Sequence, residues 1–197
     1  MWYTVCRKPH KGTVKDKDKA RTKKMNTDKN TLEAASQKAM MDAPLRKALE
    51  EWFSRKGSCP NPEITDFGKW VGNLADILAD EIHDVEQVTV DNLVTAIKVH
   101  AVGDETAIRL ARDAEKDGWK SATNCYVEEG FVYASVWIGG KEDAKATEKK
   151  ADEIGAEFRR VGYDVTVWTD EETDKEVTVH ARIAFPLFVE LQKKGGR

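Results

Sequence analysis

Apolar side chains recur at helical spacing from Thr31 to Ile82 and at strand spacing through much of the chain beyond it. Leu32, Ala35, Ala39 and Met40 mark one face of a first helix. Leu45, Ala48, Leu49, Trp52 and Phe53 fall at i, i+3, i+4, i+7 and i+8 of a second, opened by Pro44 and stopped by Gly57. After the rigid loop Ser58-Cys59-Pro60-Asn61-Pro62, a third stripe of Ile64, Phe67, Val71, Leu74, Leu78 and Ile82 is widened by Trp70 and Ile77 to meet two neighbours. Residues 31–83 therefore read as a three-helix module.

From residue 84 to 190 the periods mix. Val85–Val90 (VEQVTV) predicts a short strand, and Asp91 is placed to cap the segment Leu93–Ile97, which runs to a break at Gly103. Asp104 opens a helix with Ala107, Leu110, Ala111 and Ala114 inward, closed by Asp117-Gly118. Ser121–Glu128 and Phe131–Ile138 read as strands joined by Glu129-Gly130. Residues 141–161 carry one narrow stripe (Ala144, Thr147, Ala151, Ile154, Phe158, Val161) ended by Gly162. Tyr163–Thr169 and Glu176–Ala184 alternate as two more strands about an acidic turn, Asp170–Asp174, and a basic tail, 191–197, closes the chain. Helix, glycine, aromatic, strand, turn, strand thus occurs twice, with Gly118-Trp119 and Gly162-Tyr163 at corresponding points. Two such units make a four-stranded antiparallel sheet with both helices on one face, and the 85–90 strand in front gives β-α-β-β-α-β plus one extra strand, the ferredoxin-like arrangement. The expected class is α+β.

Alternation also assigns the sheet's faces. Val132, Ala134, Val136 and Ile138 share a side with Val165, Val167, Val177, Val179, Ala181 and Ile183, which suits the Ala-rich helices. The other side collects Phe131, Tyr133, Trp137, Trp168, His180 and Arg182, joined by Tyr126. So many aromatics must meet something. The candidates are the protein's own helical module through Trp52 and Trp70, a partner protein, a second copy, or stacked bases.

Charge adds an arm. The chain has 197 residues and a net charge of −3. Residues 1–30 hold ten lysines and arginines against three aspartates, a surplus of seven that leaves the remainder at −10. With almost no large apolar residue after Val14, this arm is expected to be flexible. Lys11, Lys15, Lys19, Arg21, Lys23 and Lys24 are its candidate phosphate contacts. Met25-Asn26-Thr27-Asp28 also has the form of a translation start, which would make residues 1–24 an upstream extension. With 40% apolar and 34% charged residues and only three scattered cysteines (Cys6, Cys59, Cys125), the composition excludes collagen-like and disulfide-framework classes. No apolar stretch approaches the roughly 20 residues of a spanning helix. A reducing, cytoplasmic setting without membrane is expected.

Two short motifs carry resemblances to known families. Glu129-Gly130-Phe131-Val132-Tyr133 resembles the glycine-aromatic-x-aromatic core of the RNA recognition motif, and Val88-Thr89-Val90-Asp91-Asn92-Leu93 is similar to its companion signature. Glu129 stands where that family has Lys or Arg, Thr89 where it has a stacking aromatic, and Val136 where it has its last aromatic. The succession Tyr133–Ile138, Ala144 to Ala151, Gly162-Tyr163-Asp164-Val165 and Val177–Ala181 is similar in order to the regulator of ribonuclease activity B family. Those are small ferredoxin-like proteins that act by binding an enzyme. The first resemblance implies base stacking, the second a regulator.

Residues that could carry chemistry are sparse. Cys6 and His10 fall short of the four ligands of a closed zinc site. Asp76, Asp80, His83 and Asp84 share one side of the third helix, a pattern that reads first as a solvated face. No nucleophile elbow, catalytic cysteine setting or phosphate-binding glycine loop is present. No cofactor or metal is expected. The expectation is a non-catalytic regulatory or adaptor protein binding a protein partner through the aromatic face and helical module. Single-stranded RNA or DNA binding, with the arm on phosphates, is the alternative.

Overall fold

A computed structural model of the chain describes residues 27–55, 64–82, 88–141, 143–169 and 175–195. The arm with its six candidate phosphate contacts, Cys6, Cys59, His83, Asp84 and the acidic turn lie outside the described residues.

Four helices come first: α1 (Lys29–Met41), α2 (Ala43–Phe53), α3 (Phe67–Glu81) and α4 (Val90–Ala101). Each begins where a side chain takes up an otherwise orphaned N–H. Asp28 accepts from Asn30 N at 3.3 Å, Asp42 from Leu45 N at 3.1 Å, Asp66 from Lys69 N at 2.8 Å and Thr89 from Asn92 N at 3.2 Å. The strand expected at 85–90 is corrected over its described part, 88–90, residues 85–87 lying outside the described residues. Val88 and Thr89 pair with nothing in the sheet, and Val90 opens α4 with Thr89, not Asp91, as its cap. Leu93, Ala96, Ile97 and Val99 of α4 are buried, and α4 packs against α1, α2 and α3. Its β-branched residues fit a helix because burial against three neighbours outweighs a propensity cost of less than about 1 kcal/mol per residue.

The second part runs α5 (Glu105–Lys116), β1 (Lys120–Glu128), β2 (Phe131–Gly139), α6 (Ala144–Val161), β3 (Asp164–Thr169), β4 (Val177–Ala184) and α7 (Phe185–Gly195). The strands form one antiparallel sheet in the order β1-β2-β4-β3. The architecture is α+β, with helices first and a four-stranded antiparallel sheet after them. The central place that a leading strand holds in a β-α-β-β-α-β unit is taken here by β4, leaving two α-β-β units. Both repeat helices cover the aliphatic face, where Val132, Ala134, Val136, Ile138, Val177, Val179, Ala181 and Ile183 are buried. Gly162 ends α6 with φ 106°, a left-handed cap that side-chain-bearing residues adopt at a cost.

The sequence pattern does not announce α7, because Pro186 reads as a terminator. That proline occupies the helix's first turn instead, where a missing N–H costs nothing, and Phe185 and Phe188 are buried. A single buried cluster runs from Ala35 in α1 to Phe188 in α7, so the bundle and the sheet share one core.

Candidate functional site

The helical bundle meets the sheet along the outer edge of β1, through α3 and α4. Hydrogen bonds seal this edge, the Gly130 N–H to the Glu81 carbonyl among them. His100 Nε2 accepts the Val127 N–H at 2.9 Å, and Glu81 Oε2 accepts the Glu129 N–H at 2.9 Å. Trp70 is buried inside the bundle, edge to face with Trp52 at 5.1 Å and with Phe53 and Phe67 around it, while Trp52 sits half-buried at the margin toward β1, and neither reaches across the sheet. The face opposite α5 and α6 is therefore left open by the described residues.

Pairing register arranges that face in rows. Tyr126, Tyr133, Arg182 and Asp164 form one; Asn124, Ser135, His180 and Thr166 the next; Ala122, Trp137, Thr178 and Trp168 the third. Aromatic rows thus flank a polar one. Tyr126 and Tyr133 stack at 5.0 Å, and Phe131 leans on Tyr133 at 6.3 Å. The Arg182 guanidinium lies 5.3 Å from the Phe131 ring centre, while its Nε is 3.7 Å from Asp164 Oδ2. Trp168, 60% exposed, stands edge-on to His180 at 5.8 Å. Trp137 lies back along its own strand: a Cβ on Gly139 would sit 2.8 Å from Trp137 Cζ2, so glycine there is what lets the indole lie flat.

All six residues expected on this surface are brought to one side of the sheet. Phe131, Tyr133 and Arg182 form one cluster and Trp168 with His180 another. Trp137 sits two strands from Trp168, about 10 Å away.

A comparison of the chain with known protein families, characterised proteins and solved structures finds no match. The two resemblances read from short motifs gain no support from it.

Sequence reasoning missed two other groupings. A cleft of about 240 Å³ lies between the bundle and β1, lined chiefly by Trp52, Leu74, Leu78, Glu81, His100 and Tyr126. His100 stacks on Trp52 at 6.2 Å, and burial brings its pKa down to about 4, so it is neutral with its proton on Nδ1. The second grouping is inside the core. Asp104 caps α5 by accepting from Thr106 N at 3.3 Å and Ala107 N at 3.2 Å, and it also accepts the Tyr163 hydroxyl. Burial raises the Asp104 carboxyl, pushes the Cys125 thiol beside it to about 11 and raises the Tyr163 phenol. A thiol so held is protonated and a poor nucleophile. No motif pointed to either grouping, since their members lie far apart in the chain.

A larger hollow of about 370 Å³ runs along the outer side of α5, among Arg109, Arg112, Asp113 and Lys116. Asp113 pairs with Lys116 at 2.7 Å and with Arg109 at 3.6 Å, an ordinary solvated helix surface. Asp76 and Asp80 are exposed on α3, and among the described residues no three His, Cys, Asp or Glu side chains converge as a metal site. No helix among them is long and apolar enough to cross a membrane.

Proposed function

We propose that this is a non-catalytic binding protein, a regulator or adaptor of the cytoplasm, that takes a protein partner on the aromatic face of its sheet. The observation that carries the reading is the composition of that face. Two aromatic rows flank hydroxyl, amide and imidazole groups, and the Arg182 guanidinium is already engaged by Asp164 and Phe131. Protein interfaces concentrate Tyr, Trp and Arg at their centre and are depleted there in other charges. Nucleic-acid surfaces are strongly basic, because phosphate contacts supply most of the non-specific affinity. The bundle, locked to β1, adds a wall beside the face with the Trp52–His100 cleft at its foot. A half-buried, protonated Cys125 suits a reducing compartment.

The test compares affinity capture by the full chain with capture by the Tyr133→Ser and Trp137→Ser/Trp168→Ser variants. Tryptophan fluorescence is titrated in parallel with oligo-dT and oligo-U at two salt concentrations. Proteins held by the wild type and released by both variants, with no oligonucleotide quenching, are the expected result. Salt-sensitive quenching would replace this reading with single-stranded nucleic-acid binding on the same rings. Capture indifferent to the variants would remove the face from function.

A further inference from the structure

The two edges of the sheet are treated differently. β1's outer side is occupied by α3 and α4, its Val127 N–H taken by His100 and the hairpin N–H groups of Glu129 and Gly130 taken by Glu81. β3, at the other end of the order, pairs with β4 alone, and no described segment lies along its outer side. An edge strand of this kind carries a row of main-chain donors and acceptors that fits another strand and little else. Proteins that keep such an edge single protect it with lysine, proline, a bulge or an inward charge. Asp164-Val165-Thr166-Val167-Trp168-Thr169 has none of these. Its one charge is already tied to Arg182, and the rest are β-branched or aromatic residues that favour strands. Val167 is 38% exposed and Trp168 60%, so apolar surface flanks the open edge on both faces.

We infer that β3 pairs with β3 of a second copy, antiparallel, about a twofold axis through Thr166, joining two sheets into one of eight strands. The strand's own sequence selects this occupant. In that register Thr166 faces Thr166 of the second copy, Val165 faces Val167, and Asp164 faces Trp168. Every pair is thus one that antiparallel strands favour or tolerate, and no two aspartates meet. Opposed positions share parity, so both aromatic faces stay on the same side and the binding surface doubles across the junction. This pairing stands apart from the choice of partner for the face: it uses the edge and leaves Tyr133 and Trp137 untouched. Six residues a side bury less than the roughly 1,200 Å² of a standard interface, so the dimer is a reversible one, with Kd on the order of 10–100 μM.

Sedimentation velocity of the full chain between about 1 and about 300 μM tests it, spanning a Kd of that order. The expected result is a shift from one chain to two over this range. Val167→Lys and Thr166→Lys, each placing an edge lysine on a different face, should each weaken association at least about tenfold. Their circular dichroism should match the wild type, because both side chains are exposed. Tyr133→Ser, in the middle of the face, should dimerise as the wild type does while losing any captured partner. One-chain behaviour at every concentration overturns the inference. So does association that survives both lysine variants, or that is lost with Tyr133→Ser, which would place the contact face to face.

Discussion

His100 accepts the main-chain N–H of Val127 at 2.9 Å, across 27 residues of chain, and so ties the helical bundle to the edge of the sheet. The bond requires a bare Nε2, and adding a proton there breaks it while placing a charge in a buried site. The folded pKa lies at about 4 against an ordinary 6.5. Between these values the unfolded chain binds the extra proton, so this contribution is fully present above pH 6.5 and is lost as pH falls toward 4. A gap of that size corresponds to on the order of 3 kcal/mol. Urea midpoints measured from about pH 7.5 to about pH 4.5, a range that spans this titration, should fall for the wild type. They should fall less steeply for His100→Gln, whose amide can also accept the Val127 N–H. Parallel slopes would show that the imidazole is not the titrating link.

Asp104 works in the opposite sense. Burial raises its carboxyl above the usual carboxylate range, so the folded protein holds that proton more tightly than the unfolded chain does. Its contribution is present below the unfolded value and fades as pH rises through the folded one. Asp104→Asn keeps a capping oxygen for α5 and removes the titration. In that variant acid should reduce stability more steeply than in the wild type, since the opposing slope is gone. Asp104→Ala removes the cap and leaves the Tyr163 hydroxyl without its acceptor, at a cost of about 2–3 kcal/mol in a thermal or urea melt. A loss below about 0.5 kcal/mol would mean that water replaces both bonds.

The β1–β2 turn holds a strained residue. Glu129 has φ 49° beside Gly130 at φ 78°, a pair of left-handed residues suited to the right-handed twist of a hairpin and normally filled by Asn-Gly. Its main-chain N–H is held by Glu81, so the conformation survives a change of side chain. Glu129→Asn should therefore stabilise the protein by about 0.5–1 kcal/mol, read as a higher thermal midpoint. An unchanged or lower midpoint would indicate that the Glu129 carboxylate makes a contribution of its own.

These sites differ in how visible they are in the sequence, and the reason is range. The strands and α6 announce themselves because alternation and the 3.6-residue period are local. The aromatic face, with Phe131, Tyr133, Trp137, Trp168, His180 and Arg182, is legible for the same reason. Val88-Thr89-Val90 alternates like a strand, yet the Thr89 hydroxyl caps Asn92 and the segment after it is buried against α1, α2 and α3. Local pattern cannot carry that tertiary choice. Phe185, Phe188 and Val189 hold helical spacing, but Pro186 masks it. His100 with Val127, and Asp104 with Tyr163, are meetings of distant residues that no spacing rule reports.

The face and the core make opposite demands on tryptophan. Trp168 is 60% exposed and touches His180 edge-on, whereas Trp70 is fully buried among Trp52, Phe53 and Phe67. If Trp168 stands where it does for binding and not for folding, its removal costs no stability. Trp168→Ser should shift the unfolding free energy by less than about 0.5 kcal/mol, while Trp70→Ala should lose about 3–5 kcal/mol through the cavity it leaves. Acrylamide gives an independent reading, because only solvent-reached indoles are quenched by collision. The quenchable fraction of the emission should drop in Trp168→Ser relative to the wild type. A Trp168→Ser variant that melts like Trp70→Ala, or that quenches like the wild type, would mean the indole is covered in solution and the face is closed.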